Sequence, residues 1–316
     1  MDFDFSDEQY MFQRSVRDLL DRDLGIEQLR KGAPDTLWSS LADLGVFAIL
    51  SDGEDGGLGL GFTDLALVFE EFGRALVPTS LVNSILAGAM VARCGTVEQR
   101  HHLPTLADGS ARITLALVDP VTGSGTMATR DGDGWRLTGR KILVAGAAAA
   151  DTLLVSATHD GQPTLFLVRR AQESIALREV NGLDLTATWH AVTFDGAMAE
   201  LLGNTPDADA VAYLNDGGAA ASALLMTGIA ARVLDEALAY VGQRVQFDKV
   251  IGSFQAIKHR CADLAVDVES CRSAAYYAAW ALDEADPSER RRAASMAKAW
   301  CSEKSARACN ESIQLH

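Results

Sequence analysis

The sequence lacks the features that would direct a protein to nucleic acid, to a membrane or to export. Basic residues are in deficit, with 28 Lys and Arg against 43 Asp and Glu and a formal net charge of −15. Because clustered Lys and Arg dominate phosphate binding, we expect no nucleic acid and no anionic membrane surface as main partner. No apolar run approaches the ~20 residues of a membrane span, and the first residues lack the order of a signal peptide. These absences predict a cytoplasmic protein without membrane insertion.

The sequence also has few groups for disulfides or metal ions. Its five cysteines are widely spaced and form no C-x-x-C pair, which predicts reduced and mostly buried thiols. His101 and His102 are adjacent, but no second ligand cluster stands at metal spacing. We therefore expect no metal site.

What is present is a chain of 316 residues, 48% hydrophobic, long enough for two or three packed subdomains. Residues 1–110 read as helices, beginning after an N-cap at Ser6 and including Phe62–Arg74. Residues 111–204 contain short β-rich runs between turn residues. Residues 205–316 are helical again, over 207–246, 254–284 and 289–315. The pattern predicts an α+β fold with a helical domain, a middle antiparallel β-domain and a second helical domain. The strand candidates are 113–118, 134–138, 141–145, 152–156, 164–168 and 190–194.

A glycine-rich loop at 53–61 invites a phosphate-binding interpretation, since glycines permit positive φ and close backbone approach. A dinucleotide-binding fingerprint, however, follows a buried strand and begins a helix, whereas the sequence before this loop has a helical pattern. Nucleotide binding by this loop is therefore not expected.

One stretch joins two long helical segments and carries the most specific pattern, Arg244-Val-Gln-Phe-Asp-Lys-Val-Ile-Gly-Ser-Phe-Gln255. It resembles the Arg-x-x-Phe-Gly-x-x-Ile-x-x-x-Gln pattern of the acyl-CoA dehydrogenases, flavoenzymes that desaturate acyl-CoA thioesters between the α and β carbons. The loop at 53–61 and the β-domain motifs below also resemble this family, so the resemblance spans the whole chain. It implies that Arg244, Gln246, Phe247 and Gln314 contact the ADP half of an FAD lying mainly in a neighbouring subunit. Asp248 departs from the pattern, because the family has glycine there.

The resemblance also implies a flavin-binding loop in the β-domain, at Ala116-Leu-Val-Asp-Pro-Val-Thr-Gly-Ser124. Val118 and Ser124 are the flavin-contact candidates, although Val118 replaces the threonine that usually bonds the isoalloxazine. Farther on, Trp135-Arg-Leu-Thr-Gly-Arg-Lys141 matches a family hairpin. The Trp-Ile-Thr or Trp-Ile-Ser triplet expected after it is replaced by Leu143-Val144-Ala145, which has neither indole nor hydroxyl. A simple alternative is that these are β-core residues.

No catalytic base is identified in the sequence. The resemblance places the usual glutamate beyond a glutamine-glycine loop, and the sequence ends at His316 as that loop would begin, so the C-terminal domain reads as shorter than the family norm. A minority of the family carries the base on the first long helix of this domain, where Gly218 and Ala219 stand. Asp216 is the nearest acid and is interpreted as a helix cap.

The residues that would serve a neighbour's FAD are thus retained, and those that would serve the chain's own flavin are lost. The resemblance then implies a subunit of a heteromeric α2β2 acyl-CoA dehydrogenase, with FAD shared across a subunit interface. It also implies an acyl-CoA substrate, possibly steroid-derived, and an electron-transfer flavoprotein as acceptor. Two alternatives stay open. One is a self-sufficient homotetrameric dehydrogenase acting on short or branched acyl-CoA, and the other is a non-enzymatic structural paralogue.

Overall fold

The structure, a computed structural model, describes residues 5–31, 34–123 and 125–316. Its N-terminal part is helical, as the sequence predicts. Ser6 opens the first helix as a capping box, since its hydroxyl accepts the N–H of Gln9 while the Gln9 side chain accepts the N–H of Ser6. The helices are α1 (Asp7–Asp23), α2 (Ile26–Lys31), α3 (Asp35–Asp43), α4 (Phe62–Ala75), α5 (Thr79–Cys94), α6 (Val97–Arg100) and α7 (Leu103–Ala107).

The middle of the chain forms a β-sheet that closes on itself. Pairing runs from β4 through β2, β3, β7 and β5 and back to β4, with β1 added in parallel to β4 and β6 added to β7. Trp135, Phe166 and Phe194 lie in the apolar core of this sheet. The strands are β1 (Ile113–Ala116), β2 (Met127–Asp131), β3 (Gly134–Ala145), β4 (Thr152–His159), β5 (Gln162–Arg169), β6 (Ile175–Val180) and β7 (Trp189–Leu201).

The sequence interpretation found this sheet but not all of its strands. It missed β2 and β6, in which most side chains are at least partly exposed, so that neither shows a buried apolar run. It also split β3 in two, with separate strand candidates at 134–138 and 141–145. The structure instead continues the strand through Gly139 at φ 142° and absorbs the irregularity as register shifts against β7.

The C-terminal part consists of α8 (Ala208–Gln243), a small hairpin of β8 (Val245–Gln246) and β9 (Lys249–Val250), α9 (Gln255–Glu284) and α10 (Pro287–Leu315). Asp286 caps α10, accepting the N–H groups of Ser288 and Glu289. Pro287 occupies the first turn, where a backbone N–H would have no partner within the helix, so the missing N–H of proline costs no hydrogen bond. The far ends of α8 and α10 and the first half of α9 share one apolar core, which includes Leu234, Leu264 and Leu315.

By its internal contacts the chain divides into two compact units. The first comprises the described residues of Met1–Asp21, Phe62–Leu76 and Asp216–His316, and the second those of Arg22–Gly61 and Val77–Asn215. Within the first unit, α4 and α8 approach very closely. A Cβ added at Gly73 would lie 2.0 Å from the carbonyl oxygen of Leu225, and one added at Gly228 would lie 1.9 Å from that of Glu70. Glycine at both positions is therefore required by packing.

The charged residues at the end of α4 are buried and paired. Glu70 accepts hydrogen bonds from the Arg272 guanidinium at 2.7 Å and from the Tyr276 hydroxyl at 2.6 Å. Glu71 accepts from Arg17 and from Gln13 at 2.8 Å. Burial, reinforced by the nearby Glu70 charge, raises the pKa of the Tyr276 hydroxyl. Because buried carboxylates cost free energy unless they are paired, this network serves the packing of the unit.

The glycine-rich loop uses its backbone N–H groups internally. The N–H groups of Gly57, Leu58 and Gly59 donate to the carbonyls of Asp52, Ala48 and Ser51 at 2.7–2.9 Å. A Cβ at Gly57 would meet the Ser51 carbonyl oxygen at 1.9 Å, so this glycine permits the loop to fold onto itself. These three N–H groups are therefore already engaged within the loop.

Three predictions of absence concern the described residues. The five cysteines are unpaired, and Cys261, Cys271 and Cys301 are buried. Where the structure describes the chain, no group of three or more His, Cys, Asp or Glu side chains is arranged to hold a metal ion. The helix α8 is long and apolar enough to span a membrane by length and composition, which the sequence analysis did not anticipate. Just over half of its most apolar window is buried inside the structure, as in a core helix of a folded domain.

Candidate functional site

The predicted FAD-contact segment forms a tight hairpin between α8 and α9. Gln246 pairs with Lys249, and the two residues between them, Phe247 and Asp248, have φ values of 53° and 61°. Two consecutive positive φ values in a two-residue loop are typical of a type I′ turn. Glycine adopts this conformation freely and Asp tolerates it, which explains physically why Asp can stand where the resembling pattern has glycine. For a bulky residue such as Phe247 the conformation is strained.

The strained aromatic residue is also largely exposed to solvent. Phe247 is 83% exposed, and its only described ring contact is an edge-on approach to Phe254, with centroids 6.2 Å apart. Arg244 and Gln246 are exposed, and neither side chain bonds to any residue that the structure describes. Strain and exposed apolar surface together are typical of a surface shaped for a partner or ligand.

The last helix ends beside this hairpin. The ring of His316 stacks on that of Tyr240 with centroids 4.6 Å apart, and the Tyr240 carbonyl accepts the N–H of Arg244 at 2.9 Å. Gln314 is exposed, two residues before His316. The structure therefore brings Gln314 to the same end of the helical unit as Arg244, although 70 positions separate them in the sequence.

These side chains are chemically suited to the ADP half of FAD. A guanidinium forms charge-assisted hydrogen bonds with phosphate oxygens, and an exposed ring face can stack on adenine. The carboxylate of Asp248 opposes this fit, because it adds negative charge where a pyrophosphate would approach. Lys249 follows Asp248 in the hairpin, and its ammonium lies over the Phe254 ring, 5.4 Å from the centroid.

The β-domain loop presents different chemistry. Val118 forms an isolated bridge with Ile142, whose N–H donates to the Val118 carbonyl at 2.8 Å, and its side chain is half exposed. Leu143 is 51% exposed and has a φ of 54°, at a register shift of β3. The surface predicted to hold an isoalloxazine is thus apolar at both positions and lacks the hydroxyl of the resembling pattern. Ser124, the other candidate, lies outside the described residues.

An ion pair that the sequence analysis did not single out fixes this loop. Lys141 is fully buried, and its Nζ lies 2.8 Å from a carboxylate oxygen of Asp119. The same oxygen accepts the N–H and the hydroxyl of Thr126, each at 2.9 Å. Burial lowers the pKa of Lys141, opposed by the hydrogen bond with Asp119. Burial would raise the pKa of Asp119, but the hydrogen bonds from Lys141 and Thr126 outweigh it and hold that pKa below its ordinary value. Asp119 and Lys141 stand in the two motifs quoted above, so only their pairing was missed.

The positions at which a minority of the resembling family carries its base offer no acid. Gly218 and Ala219 lie within α8, and a Cβ added at Gly218 would meet no atom within 4 Å. The interpretation of Asp216 as a helix cap is wrong, because α8 begins two turns earlier. Asp207 is the cap, accepting the N–H of Asp209 at 2.8 Å.

Asp216 instead forms a buried ion pair. Its carboxylate lies 2.8 Å from the Nε of Arg290 on α10, and both side chains are less than 10% exposed. A carboxylate held in this way ties two helices together and is not positioned as a free base. The pair was not visible in the sequence, because 74 positions separate its members.

Comparison with known proteins defines the class to which this fold and site belong. The model of the acyl-CoA dehydrogenase N-terminal domain matches residues 6–110, and that of the acyl-CoA dehydrogenase C-terminal domain matches residues 213–316. The chain is a member of the acyl-CoA dehydrogenase family, a family of FAD-dependent oxidoreductases. The family and the three-part fold predicted from the sequence are thereby confirmed.

Particular relatives are similar over nearly the whole chain. A probable acyl-CoA dehydrogenase of Bacillus subtilis, YngJ, is 30% identical over 348 aligned positions, covering 100% of this chain and 89% of the relative. The solved structure titled "Tcur3481-Tcur3483 steroid ACAD G363A variant" matches with a TM-score of 0.90 and 30% identity, covering 98% of this chain and 86% of that one. The ChsE4-ChsE5 complex from Mycobacterium tuberculosis matches with a TM-score of 0.92 and 26% identity, covering 100% and 88%.

Proposed function

We propose that this chain is one subunit of a heteromeric acyl-CoA dehydrogenase, and that it completes the FAD site of a homologous partner subunit. In this proposal Arg244, Gln246, Phe247 and Gln314 hold the ADP half of the partner's FAD. When bound, FAD would accept the β-hydride as the acyl-CoA thioester is desaturated. The partner would supply the base and the isoalloxazine slot.

The observation that carries the proposal is the contrast between the two sets of residues. At the hairpin end, the guanidinium of Arg244 and the ring of Phe247 are exposed, and Arg244 has no partner among the described residues. A cation without a counter-ion and a strained, exposed aromatic ring favour a ligand contact there.

At the described positions that the resemblance assigns to this chain's own flavin and base, the corresponding chemistry is missing. Val118 and Leu143 offer no hydroxyl and no indole toward a flavin, and Gly218 offers no carboxylate. Proton abstraction from the α carbon requires a carboxylate within reach of that carbon, and the nearest acid on α8, Asp216, is bound to Arg290. This imbalance favours a half-site over a complete site.

The relatives support an assembly of two different chains. The titles of both solved structures name two components, and one of them is described as a steroid ACAD. We extend this to the present chain as an α2β2 arrangement in the cytoplasm, with an acyl-CoA substrate whose acyl group is steroid-derived. An electron-transfer flavoprotein as acceptor follows from the family resemblance alone. The domain boundaries proposed for this chain remain 1–110, 111–204 and 205–316.

Flavin stoichiometry tests the proposal. The chain is purified alone and after co-expression with a candidate homologous subunit, and FAD is counted by absorbance after release. We expect little or no FAD on the chain alone and one FAD per pair of chains in the complex. One FAD per chain in the protein purified alone, with turnover of an acyl-CoA, would contradict the proposal and establish a self-sufficient enzyme.

A further inference from the structure

The unit that contains the β-sheet has a cavity whose lining includes none of the proposed FAD-contact residues. Its volume is about 460 Å³, within the ~300–1,000 Å³ range of small-molecule sites. It lies between α5–α7 and the sheet, and it includes Ile113, the first residue of β1. Val118 follows the other end of the same strand, so the cavity and the predicted flavin loop are separated by the length of β1.

The walls of the cavity are mainly apolar. Val91 and Ile113 are buried, and Leu106 and Leu167 are partly buried. Met198, which is 67% exposed, also lines the cavity. An apolar wall of this kind favours a ligand with an aliphatic or aromatic body.

Most polar groups around the cavity already have partners. The amide of Gln99 donates to Glu200 and to the Leu201 carbonyl, and that of Gln172 bonds the backbone of Arg169 and Met198. Asp151 accepts the backbone N–H of Arg112 at 2.8 Å, and the Arg112 guanidinium bonds Asp35 and lies over the Trp38 ring. The two acids of the cavity, Asp151 and Glu200, are therefore engaged by donors.

The Thr105 hydroxyl donates to the His102 carbonyl at 2.8 Å, but three other polar side chains of the cavity have no partner among the described residues. The Arg169 guanidinium, the His102 ring and the Thr152 hydroxyl make no hydrogen bond or ion pair with any residue that the structure describes. Thr152 and Arg169 are directly opposite each other on β4 and β5, so their side chains project from the same face of the sheet. A free guanidinium beside a hydroxyl is suited to a carboxylate or another compact anion.

From this arrangement we propose that the cavity binds an amphipathic organic anion, with its apolar body against Leu106, Ile113 and Leu167 and its anionic head at Arg169 and Thr152. The formal charge of the chain is −15, so an anion would be attracted only by a local cation such as Arg169. The site is independent of the proposed FAD contacts, because no residue is shared between them.

Isothermal titration calorimetry of the full chain with decanoate tests this inference, with decan-1-ol as the neutral comparison. We expect saturable binding of decanoate to the wild type, with an affinity at least about tenfold above that of decan-1-ol. Arg169→Gln should weaken decanoate binding about tenfold or more, because it removes a charge-assisted contact. The matched control is Arg178→Gln on β6, an exposed arginine outside the cavity, which should bind decanoate as the wild type does.

A second variant tests the cavity independently of Arg169→Gln, in case that variant is unstable. Ala171→Trp places a large side chain at an exposed residue of the cavity lining and should abolish decanoate binding while leaving the thermal unfolding midpoint near that of the wild type. Three results would overturn the inference. These are no saturable binding of decanoate to the wild type, equal affinity for decan-1-ol, or unchanged decanoate binding by Ala171→Trp.

Discussion

His316 stacks on Tyr240 with ring centroids 4.6 Å apart and ring planes inclined by 25°. This contact joins the last residue of the sequence to the last turn of α8, four residues before Arg244. Below it, Leu315 lies in the same apolar core as Val241 and Leu264. The end of α10 and the start of the hairpin are consequently fixed next to each other, as the proposed contact of Arg244 and Gln314 with one FAD requires.

The hairpin turn provides a first prediction, concerning Asp248. Replacing it by glycine restores the residue of the family pattern at a position with φ of 61°. We expect Asp248→Gly to tighten FAD binding by the assembled complex severalfold, because it removes a negative charge from the proposed pyrophosphate contact and because glycine adopts this φ more freely than Asp does. Fluorescence titration of the FAD-stripped complex measures the dissociation constant. Weaker FAD binding by Asp248→Gly would show that the carboxylate contributes favourably.

The close approach of α4 and α8 provides a second prediction. Gly228→Ala should lower the free energy of unfolding by about 1–3 kcal/mol or more, because its Cβ would overlap the backbone of Glu70. Gly88→Ala on α5 is the matched control, since its Cβ would meet no atom within 4 Å and alanine favours helix. Urea denaturation compares the two variants. Equal stability of both would mean that the helices do not approach as closely as described.

The ion pair beneath the β-domain loop provides a third prediction. At neutral pH, Asp119→Asn should lower the free energy of unfolding, because the buried Lys141 ammonium loses its counter-ion. We expect a loss of about 1–2 kcal/mol, which is less than for a fully buried pair because Asp119 is partly exposed.

The effect should depend on pH in a defined direction. The pKa of Asp119 is held below its ordinary value of about 4, so its stabilisation is complete above that pH and is lost as the pH falls through the lower, folded value. The stability difference between wild type and Asp119→Asn should therefore shrink in acid. Urea denaturation at pH 7 and in acid measures it, and a difference that grew with acidification would contradict the assignment.

The sequence predicted the three-part fold because each part has a distinct hydrophobic period and distinct turn residues. The helices α4, α8, α9 and α10 were found to within a few residues at most ends. The strands β2 and β6 were missed, because a strand with few buried side chains has no apolar alternation to detect. The family and the candidate site residues came from the whole-chain resemblance, because hydrophobic periodicity carries no information about them.

The candidate site was predictable only where its residues are close in sequence. The Arg244–Gln255 segment could be recognised as a motif, and the structure adds the strained turn at Phe247. The pairs Asp216–Arg290 and Asp119–Lys141 could not be foreseen, because they depend on which helix or strand lies opposite. Asp216 was interpreted as a cap although the predicted helix of 207–246 already contained it, and in the structure it lies well inside α8, which begins at Ala208.

The most direct test of the central claim is the FAD content of the co-expressed complex carrying Arg244→Gln in this chain alone. The control is Arg232→Gln, on α8 about three turns before the hairpin. It removes an exposed arginine that pairs with Glu236. We predict that the complex with Arg244→Gln assembles but loses most of its FAD, whereas the complex with Arg232→Gln retains one FAD per pair. Full FAD content in both complexes would contradict the account and leave this chain with a structural role only.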